Sequence, residues 1–384
     1  MQTTTQTHLE GYRSLFDPNF VPAVIVGRNK EFQFIRGFLI DNMAIRSGGA
    51  PNDHYGASIL VNGLHGIGKS TLVRKVIADL ETEVCCEKQP AVENVFINCT
   101  GKTEAELLMD LVGKLAIELS MPPDSLPDMA GIWSAIRARA GKLAAWSYYN
   151  VCFDNMESIP VTFLSKVSSG LKNLGINLLF TSTIRNDHVF VDNLDVSVDL
   201  DVYSTQDLET IVSQRVEVAF STPAPALSRL VTDAVVEFDS PRPGTCINIL
   251  KYLYPRANTG GIDSVSLADI QECARNALSG MSFNELDLTE FFSDASIAML
   301  MFVDNIATFF ARSETFYITR KELHNLYFEA CECIENGKSA DEFEAFVASL
   351  LEHSILFKSS REPSSFFSMI PATFLKNYLD EVLA

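Results

Sequence analysis

The sequence predicts an α/β chain: a parallel sheet built around a phosphate loop, then a helical lid, then a C-terminal winged-helix domain. Three observations predict it. The stretch Gly63-Leu64-His65-Gly66-Ile67-Gly68-Lys69-Ser70-Thr71 fits the pattern G-x-x-x-x-G-K-[ST]. Apolar strands alternate with amphipathic helices on either side of it, the signature of a parallel sheet covered on both faces. The C-terminal hundred residues read as three helices followed by two strands.

The elements follow in order. Residues 11–55 form a lead-in, with Val21-Pro22-Ala23-Val24-Ile25-Val26-Gly27-Arg28 ahead of a helix from Glu31 to Met43. A loop rich in Gly, Pro, Asn and Asp, Ser47 to Tyr55, separates it from the strand Ile59-Leu60-Val61. The phosphate loop comes next. The helix Thr71 to Leu80 follows, with Leu72, Val73, Val76, Ile77 and Leu80 at helical spacing. Val95-Phe96-Ile97 is a second strand, followed by helices Glu104 to Leu119 and Gly131 to Ala145 around a Pro-rich loop at Met121 to Pro127. Tyr149 to Asp154 is an apolar strand ending in an acid. A helix from Val161 to Leu174 leads to the buried strand Ile176 to Thr183. From Ser204 the strands stop. Gln206–Phe220, Pro225–Val236, Gly244–Leu253 and Ser266–Leu278 read as four lid helices. Helices Ala295–Ala311, Arg320–Glu335 and Ala340–His353, then strands Ile355–Lys358 and Ser365–Ile370, complete the winged-helix pattern. The expected domains are residues 1–203, 204–283 and 284–384.

Composition narrows the function classes. The chain has 384 residues, 47% of them apolar, so it is globular and not disordered. Met1 to Glu10 is polar and lacks the apolar stretch of a secretory signal. No run of about 18 uncharged apolar residues is present, so no membrane span is expected. The eight cysteines are scattered, which fits reduced thiols in an intracellular protein. The net charge is −19, which repels nucleic acid overall and favours protein partners.

The chemistry concentrates at strand carboxyl ends, where open α/β sheets bind ligands. Glycines let the loop curl so that backbone N–H groups of Gly63, Gly66, Ile67 and Gly68 face phosphate oxygens at the N-terminus of the helix opened by Ser70 and Thr71. Lys69 would reach the β- and γ-phosphates, and the Ser70 hydroxyl would ligate Mg²⁺. Asp154, 85 residues after Lys69, stands where the Walker B acid helps hold Mg²⁺. The next residue is Asn155, whose amide bonds a water but cannot take its proton. Slow hydrolysis of ATP is therefore expected, and Asn155→Glu should raise it if the rest of the site is competent. Glu157 would serve as base only on a shifted backbone. Thr183, with Ser182, either senses the γ-phosphate or caps the next turn. Arg242, ahead of a lid helix, either faces solvent or reaches the phosphates.

Together these residues resemble the origin-recognition and Cdc6 branch of the AAA+ ATPases. Val21-Pro22 with Gly27-Arg28 resembles that family's segment around the adenine, which implies that Pro22 and Arg28 help bind ATP or ADP. Val95 to Cys99 resembles its second strand, which ends in Asn-Cys. Tyr203 to Ile211 with Arg215 resembles the start of its lid. Tyr317 to Tyr327 and Phe343 to Leu356 resemble its winged helix. The resemblance implies an ATP-binding protein of DNA replication initiation and origin recognition. Its expected partners are other AAA+ replication subunits or helicase-loading proteins. Its expected place is intracellular: nuclear in a eukaryote, cytoplasmic or nucleoid in an archaeon.

The chain departs from that family in places. Asn155 replaces an acid, the sensor-strand asparagine is missing, and Thr181 to Ser204 offers only Arg185 as a trans-acting finger. Glu285 to Ala384 carries 7 Lys or Arg against 17 Asp or Glu, and the recognition helix is acidic. Duplex DNA would then be contacted only through the wing, by Lys358 and Arg361. Two other readings remain: a STAND-type signalling ATPase, and a nucleotide-dependent scaffold that does not touch DNA. The sequence stops just after the wing, where STAND proteins append further domains, and this favours the first reading.

Overall fold

A computed structural model describes residues 9–48, 55–86, 91–115, 129–143, 147–183, 194–278, 285–313, 315–334 and 339–383. Arg185, the Pro-rich loop at 121–127 and the end of the helix expected to reach Leu119 lie outside them. The chain divides into two compact units, residues 21–202 and residues 1–20 with 203–384.

The first unit holds α2 (Asn29–Gly48), β1 (Ser58–Gly63), α3 (Lys69–Cys86), β2 (Ala91–Asn98), α4 (Glu104–Lys114), α5 (Met129–Leu143), β3 (Ser147–Asp154), α6 (Val161–Lys172), β4 (Asn177–Ser182) and β5 (Val196–Leu200). All strand pairs are parallel, in the order β2-β3-β4-β1-β5. The central strands are buried throughout, so they read as continuous apolar runs. β5 was not expected. Its pattern Val-Ser-Val-Asp-Leu is short and half-exposed, which suits an edge strand and gives a weak sequence signal.

One face of the sheet packs against α4, α5 and α6 through Leu108, Leu111, Ile136, Phe163 and Val167. A polar ladder fixes the register at the opposite end from the ligand edge. Asn94, Asn150 and Asn177 stand abreast on β2, β3 and β4. Asn177 donates to Asn150 and Asn150 to Asn94, each at 3.0 Å, and the Ala57 N–H donates to Asn177 Oδ1 at 3.0 Å. A one-residue slip would strand these buried amides, which costs more than the bonds themselves contribute.

The second unit begins with α1 (Leu9–Phe16), which the sequence places ahead of the sheet. It packs instead on α7 (Thr205–Phe220) and α9 (Pro243–Gly260). Gly11 allows this approach: a Cβ there would lie 2.8 Å from the carbonyl oxygens of Val218 and Ala219. Arg215 donates to the Ser14 carbonyl at 2.6 Å and lies over the Phe20 ring. With α8 (Pro225–Phe238) and α10 (Leu267–Ala277), these helices form the lid bundle.

The same unit continues as α11 (Glu285–Asp294), α12 (Ile297–Arg312), β6 (Ile318–Thr319), α13 (Arg320–Cys333), α14 (Ala340–Glu352), β7 (Phe357–Lys358), β8 (Ser365–Phe367) and α15 (Ala372–Leu383). β6, β8 and β7 form a small antiparallel sheet, so the expected winged helix is present, with α14 in the recognition position. Its core is aromatic: Phe302, Tyr327, Phe343 and Phe346 contact one another. Among the described residues no helix is long and apolar enough to cross a membrane. Cys99, Cys152, Cys246, Cys273 and Cys331 are buried free thiols.

Candidate functional site

The site is built where β1, β3 and β4 end side by side. β1 closes at Gly63 and the chain curls before α3 starts at Lys69. Gly66 and Gly68 take φ of 76° and 96°, a region where a Cβ would clash with backbone. Ile67, wholly buried, anchors the loop from below. The backbone N–H groups at the start of α3 have no carbonyl partners within their own helix, which is what an anion needs. Lys69 is buried and folds back over the loop, donating to the Gly63 and Leu64 carbonyls at 2.9 and 3.0 Å. Burial pulls its pKa below the ordinary value, while Glu157 and Asp154 oppose the shift.

The acid lies across from it. Asp154 Oδ1 accepts from the Ser70 hydroxyl at 2.6 Å and from the Thr181 hydroxyl at 2.6 Å. Thr181 in turn accepts from the Asn155 N–H at 2.9 Å. Two strand ends, those of β3 and β4, and the first turn of α3 are thereby tied together. The pairing of one hydroxyl with one carboxylate fits the protein's share of a Mg²⁺ site, in which the nucleotide and water supply the other oxygens. Among the described residues no group of three or more His, Cys, Asp or Glu could hold a metal alone.

Asn155 changes the reading of the base. It is left-handed, at φ 58° and ψ 57°, a conformation that Asn tolerates better than Glu. Asn155→Glu would therefore strain the turn as well as add a carboxylate. The turn feeds a short 3₁₀ segment, Met156–Ser158, which carries Glu157 back to the site. Glu157 Oε1 accepts from the Thr183 N–H at 2.9 Å and from its hydroxyl at 2.5 Å. Glu157 Oε2 is buried without a hydrogen-bond partner. Thr183, which had two readings, is a holder of this carboxylate. Asn enriched at left-handed positions, followed two residues later by an acid, was the available signal.

The remaining expected residues are spread out. Arg28 is buried, pairs with Glu31 at 3.3 Å and donates to the Asp201 carbonyl beyond β5. Pro22, half-buried, lies on the same lead-in. Arg242 occupies the N-cap position of α9 without a side-chain capping bond and is paired with Asp239, which also accepts from the Thr245 hydroxyl at 2.9 Å. It therefore belongs to the second unit, with a carboxylate as its partner.

The wing differs from expectation. Arg361 does not project to solvent as a free cation. Its guanidinium donates to Asp233 on α8 at 3.0 Å. Glu237, one turn further along α8, accepts from Ser359 and Ser360 hydroxyls at 2.7 and 2.9 Å, from the Ser360 N–H at 3.0 Å and from the Tyr317 hydroxyl at 3.0 Å. Phe238 packs edge-on against Phe357 and Phe367. The wing tip is thus latched to the lid: the buried Asp233 and the half-buried Glu237 of α8 take donors that the wing supplies. Lys358 and Arg361 are both exposed, but only Arg361 is drawn against a carboxylate of α8.

No protein-family model matches the chain, and no curated protein sequence matches it. Solved structures do match along its whole length. It aligns with Cdc6p from Pyrobaculum aerophilum at TM-score 0.69 and 19% identity, covering 97% of each chain. The fold is that of the Cdc6 and ORC proteins. The ORC1 protein of Aeropyrum pernix, solved in complex with DNA, aligns at TM-score 0.57 and 16% identity over 96% of each chain. A chain of Drosophila ORC bound to DNA aligns at TM-score 0.52 and 14% identity, over 99% of this chain and 93% of that one. The Cdc6/ORC fold spans sheet, lid and winged helix, the three parts that the sequence predicted.

Proposed function

We propose that this chain is an ATP-binding AAA+ protein of the replication-initiation type, in which nucleotide sets a conformation and an interface and hydrolysis is slow. The observation that carries the reading is the convergence of the phosphate loop, Lys69, Ser70 and Asp154 at one sheet edge. The full-length match to Cdc6 and ORC folds supports the biological setting. Lys69 exchanges two neutral carbonyl partners for phosphate oxygens, a gain in charge-assisted bonding. Ser70 and Asp154 would hold a Mg²⁺, which would supply charge neutralisation to the nucleotide phosphates. Glu157 is the carboxylate in reach of an attacking water. While Thr183 holds it through two bonds it is not aimed at a water, which supports the proposed slow turnover beside the amide of Asn155.

The partners we propose are proteins of the same assembly within the cell, with duplex DNA secondary. The latch that occupies Arg361 and the formal charge of the winged helix both favour that order. Titration calorimetry of ATP and ADP into the full chain and into Lys69→Ala tests the core of the reading. Loss of two charge-assisted contacts should weaken binding on the order of 10²-fold. Equal affinities in the two proteins would overturn it.

A further inference from the structure

Helices α11, α12 and α14 enclose a groove of about 650 Å³ on the winged helix. The volume is in the range of pockets that hold ligands. Its apolar lining is Phe291, Met299 and Phe346. Ile297, next in sequence to the lining residue Ser296, is 65% exposed, the most exposed of the large apolar side chains among the described residues. Nothing in the nucleotide reading uses these groups.

The charge around the groove is one-sided. α11 ends at Asp294, which lines the groove, and α14 ends at Glu352, beside the lining residue His353. A helix C-terminus already carries about half a negative charge and is stabilised by cations. Both helices put a carboxylate there instead, and neither has a basic residue in its last turn. Asp341, exposed, lies one helical turn before the lining residue Ala345. Neither α11 nor α14 contains a single Lys or Arg. The His353 ring packs tilted against Phe291, with centroids 4.8 Å apart, and its Nδ1 lies 2.9 Å from the Ser349 carbonyl.

We propose that this groove docks a cationic amphipathic segment of a partner protein. An aliphatic or aromatic anchor enters between Phe291, Met299 and Phe346. Lys or Arg residues flanking the anchor meet Asp294, Glu352 and the two helix ends. Charge complementarity selects this occupant over duplex DNA, whose phosphates would face carboxylates with no counter-charge.

The test uses the full chain and a fluorescein-labelled 14-residue peptide of Leu and Lys, with Leu at helical i, i+3, i+4 spacing. The same peptide with Glu for Lys is the control. Anisotropy at physiological salt should show micromolar binding of the Lys peptide and none of the Glu peptide. Ala345→Trp, which fills the groove without changing charge, should weaken binding at least tenfold. So should Asp294→Lys combined with Glu352→Lys. Glu217→Lys with Glu329→Lys changes the net charge equally at exposed positions on α7 and α13, and should leave affinity within twofold. Circular dichroism melts confirm that each variant folds. Absence of binding to the wild-type chain would overturn the proposal. So would full affinity in a folded Ala345→Trp, equal losses in the two charge-reversed pairs, or displacement of the peptide by a 20-base-pair duplex.

Discussion

Two basic side chains, Lys69 in the phosphate loop and Arg361 on the wing, were the expected contacts to phosphates of two different ligands. Their surroundings separate them. Lys69 is held by two main-chain carbonyls, which are neutral acceptors. A phosphate oxygen is a stronger partner, so exchange is favourable. Arg361 is held by the Asp233 carboxylate, which is 9% exposed. Moving Arg361 to DNA would leave that buried charge with only the longer 3.8 Å contact to Arg229, and the neighbouring Glu237 would lose the serine donors of the wing. A basic residue is available to an anion only if what it leaves behind stays satisfied. Sequence motifs report the basic residue but not its current partner.

The comparison can be sharpened first at the nucleotide edge. Glu157→Gln keeps the Thr183 hydrogen bonds and removes the ability to take a proton. Phosphate release, expected to be slower than about 1 s⁻¹ in the wild type, should fall by a further 10²-fold or more. Nucleotide affinity measured alongside should hold. An unchanged rate would move the base to another residue and reduce Glu157 to an anchor for Thr183.

The latch can be broken next. Arg361→Ala leaves Asp233 and Glu237 in place and removes a charged hydrogen bond worth about 1.5–3 kcal/mol. The second unit should melt several degrees lower by calorimetry. Duplex DNA binding by the full chain should stay weak, with a salt slope no steeper than about −0.9, the release expected for the single phosphate that Lys358 can reach. A wild-type slope several times steeper, lost in Arg361→Ala, would show that the latch opens to DNA.

The smallest effect is in pH. Burial, opposed by Arg361 and Arg229, pushes Asp233 up to about 6 from an unfolded value of 3.8. The folded state therefore holds more protons than the unfolded state between those values. This group's contribution makes the fold more stable as pH falls from about 7 towards 4, and less stable as the carboxyl ionises. Asp233→Asn should remove that component. The difference in Tm between wild type and variant should change by about 2–4 °C between pH 7.5 and pH 5. A difference constant with pH would mean that Asp233 is ionised throughout, held so by Arg361.

The sequence by itself determined whatever is encoded locally or by period. The glycine loop, the buried strand ahead of it and the helix behind it are specified by a dozen neighbouring residues. Lys69, Ser70 and Asp154 meet because each ends or begins an element whose position in a parallel sheet is fixed. The winged helix was legible for the same reason, in the spacing of its apolar residues.

The tertiary structure alone decided the rest. Glu157 reaches the site only because Asn155 turns left-handed, a dihedral that no periodicity reports. α1 leaves the sheet for the lid because Gly11 lets it approach α7 and Arg215 caps its carbonyl at Ser14. β5 closes the sheet with too few apolar residues to announce itself. Arg361 is occupied because Asp233 lies 128 residues away in sequence and 3.0 Å away in space. Whether a charge is free depends on desolvation and on partners from distant segments. Those are properties of the folded chain, set only once its surfaces have met.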